Sequence, residues 1–242
     1  MTKERHDEHL ARWAREGRTG TPPVPAATVV VLRDGESDLE ILMLRKASKI
    51  AFGGMWVFPG GRVDPEDAEG LAPDDDLGTA RVAAVREAEE EAGLTIALDS
   101  LVAFSHWTPP AVTPKRFLTW FFLASAPGGD ITIDHGEIRE HAWMSAADAF
   151  VSRDAGEIEL APPTFVTLER LSRSANVQAA LAEARARKPQ RFATHIGTTK
   201  SGPVAMWQGD AGWEDSDPER PGVRHRLAMQ GGSWRYQKSV DD

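Results

Sequence analysis

The sequence predicts an α+β fold, with helices packed on both sides of a mixed β-sheet and a C-terminal helical extension. Three observations carry this expectation. The β-branched run 26–32 returns as 39–44 across an Asp34-Gly35 turn, which reads as a hairpin. Residues 79–92 follow a helical period and stop at Gly93, a residue suited to closing a helix. Strand-like stretches at 95–106 and 116–124 come next, split by the rigid turn Thr108-Pro109-Pro110.

The remaining elements follow in order. Residues 1–25 read as a mobile charged arm, with a short helix through Leu10 and Trp13 and a proline-rich end. Trp56 to Phe58 form a third strand that breaks into Pro59-Gly60-Gly61. Residues 131–133 are a short apolar stretch before the polar Asp134-His135-Gly136-Glu137. Ser145 is a good N-cap for a helix running through Phe150. Phe165, Leu168, Leu171 and Leu181 predict one long helix over 164–187. From Lys188 onward the chain is rich in Gly, Pro and Trp, with weak strand signals at 204–207 and 234–236. The expected division is an arm (1–25), a core (26–160) and a C-terminal helix with an irregular extension packed on that core (161–242).

Composition excludes several classes. With no cysteine, disulfides, thiol catalysis and Cys-based zinc sites drop out. A formal charge of −9 argues against nucleic-acid binding, which needs basic surface, so an anionic ligand must be drawn by local cations or bound metal. No stretch approaches the roughly 20 apolar residues of a membrane span. The charged first twenty residues are unlike a signal or transit peptide. The ending Ser239-Val240-Asp241-Asp242 is unlike a peroxisomal address. A cytoplasmic protein is expected; a homodimer is allowed for.

The most informative segment is Arg86-Glu87-Ala88-Glu89-Glu90-Glu91-Ala92-Gly93-Leu94. At 100° per residue, Glu87, Glu90 and Glu91 share one stripe, while Val85, Ala88 and Ala92 share an apolar one. Like charges at this spacing repel by about 0.2–0.5 kcal/mol per pair. A hard divalent cation relieves that repulsion, because Mg²⁺ prefers carboxylate oxygens, water and phosphates. The turn at Pro59-Gly60-Gly61 lets backbone approach a ligand, and the Gly60 carbonyl is a candidate further metal ligand.

Together the two segments resemble the Nudix box, Gly-x5-Glu-x7-Arg-Glu-U-x-Glu-Glu-x-Gly-U with U apolar. Arg86, Glu87, Ala88, Glu90, Glu91, Gly93 and Leu94 match its second half at every specified position. The first half differs. Gly61 and Arg86 are twenty-five positions apart where the pattern has fourteen, an insertion of eleven, and the box glutamate falls on Gly78. Glu66 or Asp67, near the expected distance from Gly61, is a candidate replacement. The inserted stretch 63–77 reads as a solvated acidic loop. Leu44-Arg45-Lys46-Ala47 before the Pro-Gly-Gly turn, Arg116-Phe117-x-Thr119-x-Phe121-Phe122 and Ala161-Pro162-Pro163-Thr164-Phe165 are similar to the branch containing peroxisomal coenzyme A diphosphatases and their bacterial relatives. The coenzyme A signature fits at Gly54, Phe58 to Gly61 and Arg45. Its second arginine falls on Ile50, with Lys49 one residue short.

The resemblance implies a Nudix-type α/β/α sandwich and an Mg²⁺- or Mn²⁺-dependent hydrolase of a small nucleotide diphosphate. Coenzyme A or acyl-coenzyme A is the first expectation; ADP-ribose, NADH and dinucleoside polyphosphates are the alternative. A non-catalytic nucleotide sensor is the rival from another class, and the absent box glutamate is the point in its favour. Metal ligation falls to Glu87, Glu90, Glu91 and Gly60, and Arg86 orients the carboxylates. Base work falls to Glu87 or Glu91, or to Glu137 or Glu140 in the later loop. Arg45, Lys49 and Arg116 are expected to grip phosphate, and Trp107 to stack on a base. Lys46 and Lys115 read as ordinary surface cations, and the histidines as structural or surface residues.

Overall fold

The computed structural model describes residues 6–16, 20–47, 53–230 and 232–239. The chain divides into two compact units, one made of Val24–His106 and Thr119–Gln190, the other of Met1–Pro23, Trp107–Leu118 and Arg191–Asp242. Helix α1 (His6–Glu16) opens the chain and belongs to the second of these.

The first unit is built on the hairpin of β1 (Val24–Asp34) and β2 (Leu39–Lys46), paired antiparallel with Leu32 opposite Ile41. Gly35 donates its N–H to the Asp38 carbonyl and closes the turn. Strand β3 (Trp56–Val57) pairs with β2, and β4 (Gly60–Arg62) with β1, so the Pro59 turn carries the chain between two strands of one sheet. A 3-10 turn at Pro65–Ala68 leads to helix α2 (Asp76–Ala92). Strands β5 (Val102–Thr108), β6 (Phe117–Ser125) and β7 (Ile138–Ser145) follow. The strand order is β3-β2-β1-β6-β5, with β4 added on β1 and β7 on β2. This is the mixed sheet with helices that the sequence predicts.

Helix α2 sits close to the sheet because its inward face is alanine. Ala80, Ala84, Ala88 and Ala92 recur every four residues and are buried against Val29, Val31, Leu42, Leu44 and Phe122. Small side chains here draw the helix toward the hairpin, which carries the flanking glutamates over the Gly60-Gly61 turn. Gly93, at φ 66°, ends the helix in the left-handed conformation that glycine adopts without strain, donating its N–H to Glu89 O.

Helix α3 (Ala146–Asp154) starts where Ser145 accepts the Asp148 N–H. The single helix expected over 164–187 is two helices, α4 (Pro162–Leu171) and α5 (Val177–Ala186). The break lies at Asn176, whose side chain accepts the Ala179 N–H at 2.8 Å and starts α5 afresh.

The second unit replaces the expected irregular extension with regular structure. Strand β8 (Gln190–Ala193) is followed by β9 (His195–Thr199), β10 (Gly202–Met206), β11 (His225–Gln230) and β12 (Ser233–Lys238). The last four form an antiparallel sheet in the order β12-β11-β10-β9. Helix α1, expected as part of a mobile arm, packs against β9 and β10 and buries Leu10 and Ala11. Asp210 holds the buried Arg226 through both carboxylate oxygens, at 2.7 and 2.6 Å. Among the described residues no helix is long and apolar enough to cross a membrane.

Candidate active site

Glu87, Glu90 and Glu91 lie on the last turns of α2, beside the β4 backbone. Glu91 is 4% exposed, and its Oε2 accepts the Gly60 N–H at 2.9 Å. A β-carbon at Gly61 would overlap the Glu87 carboxylate, and one at Gly60 would overlap the Ala27 carbonyl oxygen. Gly61 therefore lets the Glu87 carboxylate lie directly on the backbone of the turn, and Gly60 lets the turn lie against β1.

Arg86 is the hub beside them. Its Nε and Nη2 donate to Oδ1 and Oδ2 of Asp67, both at 3.0 Å, in a fork that matches a carboxylate edge. Its Nη1 donates to Glu87 Oε1 and Glu90 Oε2, again at 3.0 Å, and Nη2 also reaches the Arg62 carbonyl. Asp67 is 3% exposed and closes on the Asp64 N–H at 2.8 Å. Burial pushes its carboxyl up, but Arg86 and that N–H pull harder and leave it below the ordinary value. Asp67 stands six positions after Gly61, so of the two candidate replacements it is Asp67, not Glu66, that takes the arginine. The insertion falls after it.

Lys46 corrects the sequence reading. Expected as a surface cation, its side chain is 11% exposed and its ammonium lies 2.7 Å from Glu91 Oε1 and 3.7 Å from Glu137 Oε2. Burial still raises the Glu91 carboxyl above its usual value, against the pull of Lys46 and the Gly60 N–H. Glu87 is raised as well, first by burial and then by Glu91 and Glu90, with Arg86 opposing. Protein cations thus leave the two inner carboxylates short of full compensation.

The family model for the NUDIX domain matches residues 22–165. The chain belongs to the Nudix family. It is similar to "Putative nudix hydrolase 7" of Caenorhabditis elegans, 30% identical over 172 residues that cover 54% of this chain and 55% of that protein. The chain thus spans about half the length of that curated relative. A NUDIX hydrolase from Alicyclobacillus acidocaldarius shares the fold at a TM-score of 0.61 and 28% identity, over 67% of this chain and 96% of its own.

The donor set of this Nudix chain fits a hard divalent ion, since it offers carboxylate oxygens from adjacent turns of one helix. Arg86 engages one oxygen each of Glu87 and Glu90. Among the described residues no group of three or more acidic or histidine side chains stands converged as a ready metal cage. Arg86 holds Glu87 and Glu90, and Lys46 holds Glu91.

The other expected site residues divide. Glu137 is exposed and lies on the same ammonium as Glu91; Asp134, missed in the sequence, holds its loop by accepting the N–H groups of Glu137 and Ile138 at 2.9 Å. Arg45 and Glu140 face each other across β2 and β7 and pair at 2.8 Å in solvent. Lys49 lies outside the described residues. Arg116 donates to the Pro109 carbonyl at 3.1 Å within the second unit. Trp107 is corrected: it is 3% exposed and stacked on Phe192 at 3.9 Å between centroids, in the aromatic core of the second unit, so its indole is spent on packing.

Proposed function

We propose that this chain is a divalent-metal-dependent hydrolase that cleaves a diphosphate linkage in a nucleotide conjugate, with coenzyme A or an acyl-coenzyme A as the first substrate. One observation carries the reading: Glu87, Glu90 and Glu91 are gathered on α2 against the Gly60-Gly61 turn, two of them with raised pKa, while Arg86 ties Glu87 and Glu90 to Asp67. Glu87, Glu90, Glu91 and the Gly60 carbonyl would hold Mg²⁺ or Mn²⁺. Such an ion, when bound, neutralises phosphate oxygens and acidifies an attacking water. Arg86 keeps Glu87 and Glu90 in register on the helix. Glu137, exposed and carried on a loop braced by Asp134, would accept the proton of the water. Water then adds to phosphorus as the bridging P–O bond breaks, and each product keeps one phosphate of the former linkage; from coenzyme A these are 3′,5′-ADP and phosphopantetheine.

Metal should stabilise the folded chain by mass action, by about 2.7 kcal/mol at a hundred times the dissociation constant. A melting curve unmoved by millimolar Mg²⁺ or Mn²⁺, with and without a nucleotide diphosphate, counts against the reading.

The substrate can be tested with one functional group. Coenzyme A carries a 3′-phosphate, and the exposed Arg45 can exchange Glu140 for it because a solvated pair of this kind contributes only about 0–1 kcal/mol. A charge-assisted contact of about 1.5–3 kcal/mol predicts cleavage of coenzyme A roughly tenfold to a hundredfold faster than of 3′-dephospho-coenzyme A. Equal rates remove the 3′-phosphate argument, and a preference for ADP-ribose over both selects the alternative substrate class.

A further inference from the structure

We infer that Lys46 is a built-in counter-ion of the carboxylate site, one that a divalent ion must displace from Glu91 before the site can be loaded. The inference rests on the metal-binding reading above and concerns how loading is controlled. Its basis is the placement of a single ammonium. Lys46 lies at the end of β2, on the strand face shared by the core residues Leu42 and Leu44, and its side chain is nearly buried. Its Nζ meets oxygens from two separate elements, Glu91 on α2 at 2.7 Å and Glu137 on the loop before β7 at 3.7 Å. That point is where one cation is shared between the helix and the loop.

The loop is fixed there independently of the ion pair. Ala47 donates its N–H to the Glu137 carbonyl at 2.7 Å, and Asp134 holds the N–H groups of Glu137 and Ile138. Glu91 is likewise fixed from its other side by the Gly60 N–H. A divalent ion arriving at Glu91 therefore meets the ammonium and not a free carboxylate. An ion and the ammonium both on Glu91 would lie about 4 Å apart at a partly buried site and repel by far more than thermal energy, so the ion binds Glu91 best once the ammonium has moved off it. The flexible four-carbon stem of lysine allows the ammonium to leave toward Glu137 or an incoming phosphate. Lys46 is in these terms a positioning residue that sets the threshold of metal binding.

The test compares Mn²⁺ dissociation constants of the purified full chain, by titration calorimetry, for wild type, Lys46→Met, Lys46→Gln and Lys46→Arg. Removing the charge is expected to tighten Mn²⁺ binding by about tenfold in both neutral variants, while Lys46→Arg stays near wild type. A residue that merely supported the fold would weaken binding or leave it unchanged when removed, and either result in both neutral variants overturns the inference. Tightening in Lys46→Arg as well also overturns it, since shape and not charge would then be the cause. Wild type binding Mn²⁺ with all variants equal to it defeats this inference alone. Absence of binding in every protein defeats the metal-binding reading together with it.

Discussion

Replacing Glu91 by glutamine is expected to lower turnover on a diphosphate substrate by about 10²-fold or more, on the scale of a lost metal-holding or proton-transfer role. Glutamine keeps the volume of the side chain at a site that is 4% exposed, so packing against the Gly60 turn is preserved while the charge is lost. Its single amide oxygen can accept from Lys46 or from the Gly60 N–H but not from both, and it cannot hold a hard cation as a carboxylate does. Glu87→Gln should fall in the same range, because that carboxylate lies directly over Gly61. Glu90, whose side chain is mostly exposed and tied to Arg86 alone among the contacts described, should matter less. The measurement is kcat with saturating Mg²⁺ or Mn²⁺, alongside melting curves that confirm folding. Near wild-type rates for both Glu87→Gln and Glu91→Gln would remove the site from α2.

The part of the site that was legible in the sequence is the part made by local periodicity. Three glutamates at helical spacing beside an alanine stripe specify one helix and both of its faces, whatever it packs on. The hairpin of β1 and β2 was legible for the same reason, since β-branched runs on either side of Asp34-Gly35 need no distant partner to be strands. Lys46 was missed because alternation along β2 could not single it out: Leu42 and Leu44 on its face and Ile41 and Met43 on the other are all buried. The neighbouring Arg45, which is exposed and paired with Glu140, made the pair look like ordinary surface charge.

What was not legible depends on contacts between distant segments. Trp107 beside Thr108-Pro109-Pro110 looks like an open aromatic, and the approach of the distant Phe192 and Trp207 packs it inside. Strand β11 contains His225 and Arg226, which lower its apparent strand character. Asp210 takes both the His225 N–H and the Arg226 guanidinium, so the polar residues are satisfied inside. Asn176 breaking the long C-terminal helix was in principle readable, since asparagine is among the preferred N-caps. The leucine spacing across it outweighed that signal.

Arg86→Met is expected to cost about 3–5 kcal/mol of stability, because it leaves the Asp67 carboxylate buried without its cation. The pH dependence carries the diagnostic sign. In the native protein Asp67 lies below its ordinary value, so the folded chain holds that proton less tightly than the unfolded one. Its contribution is therefore complete above the unfolded value near 3.8 and is lost as pH falls through the lower, folded one. In Arg86→Met the burial that raises Asp67 is opposed only by the Asp64 N–H. The carboxyl then rises, and stability falls as pH increases above the ordinary carboxylate range. Urea midpoints between acid and neutral pH should show this reversal. Asp67→Asn in the Arg86→Met background should recover part of the loss, as expected for residues that share one interaction. Arg86→Lys should recover less than the native fork gives, since one ammonium cannot serve both oxygens of Asp67 while also reaching Glu87 and Glu90. Additive losses in the Arg86→Met and Asp67→Asn pair, or a native-like acid limb in Arg86→Met, would show that Asp67 does not stand in for the missing glutamate of the box.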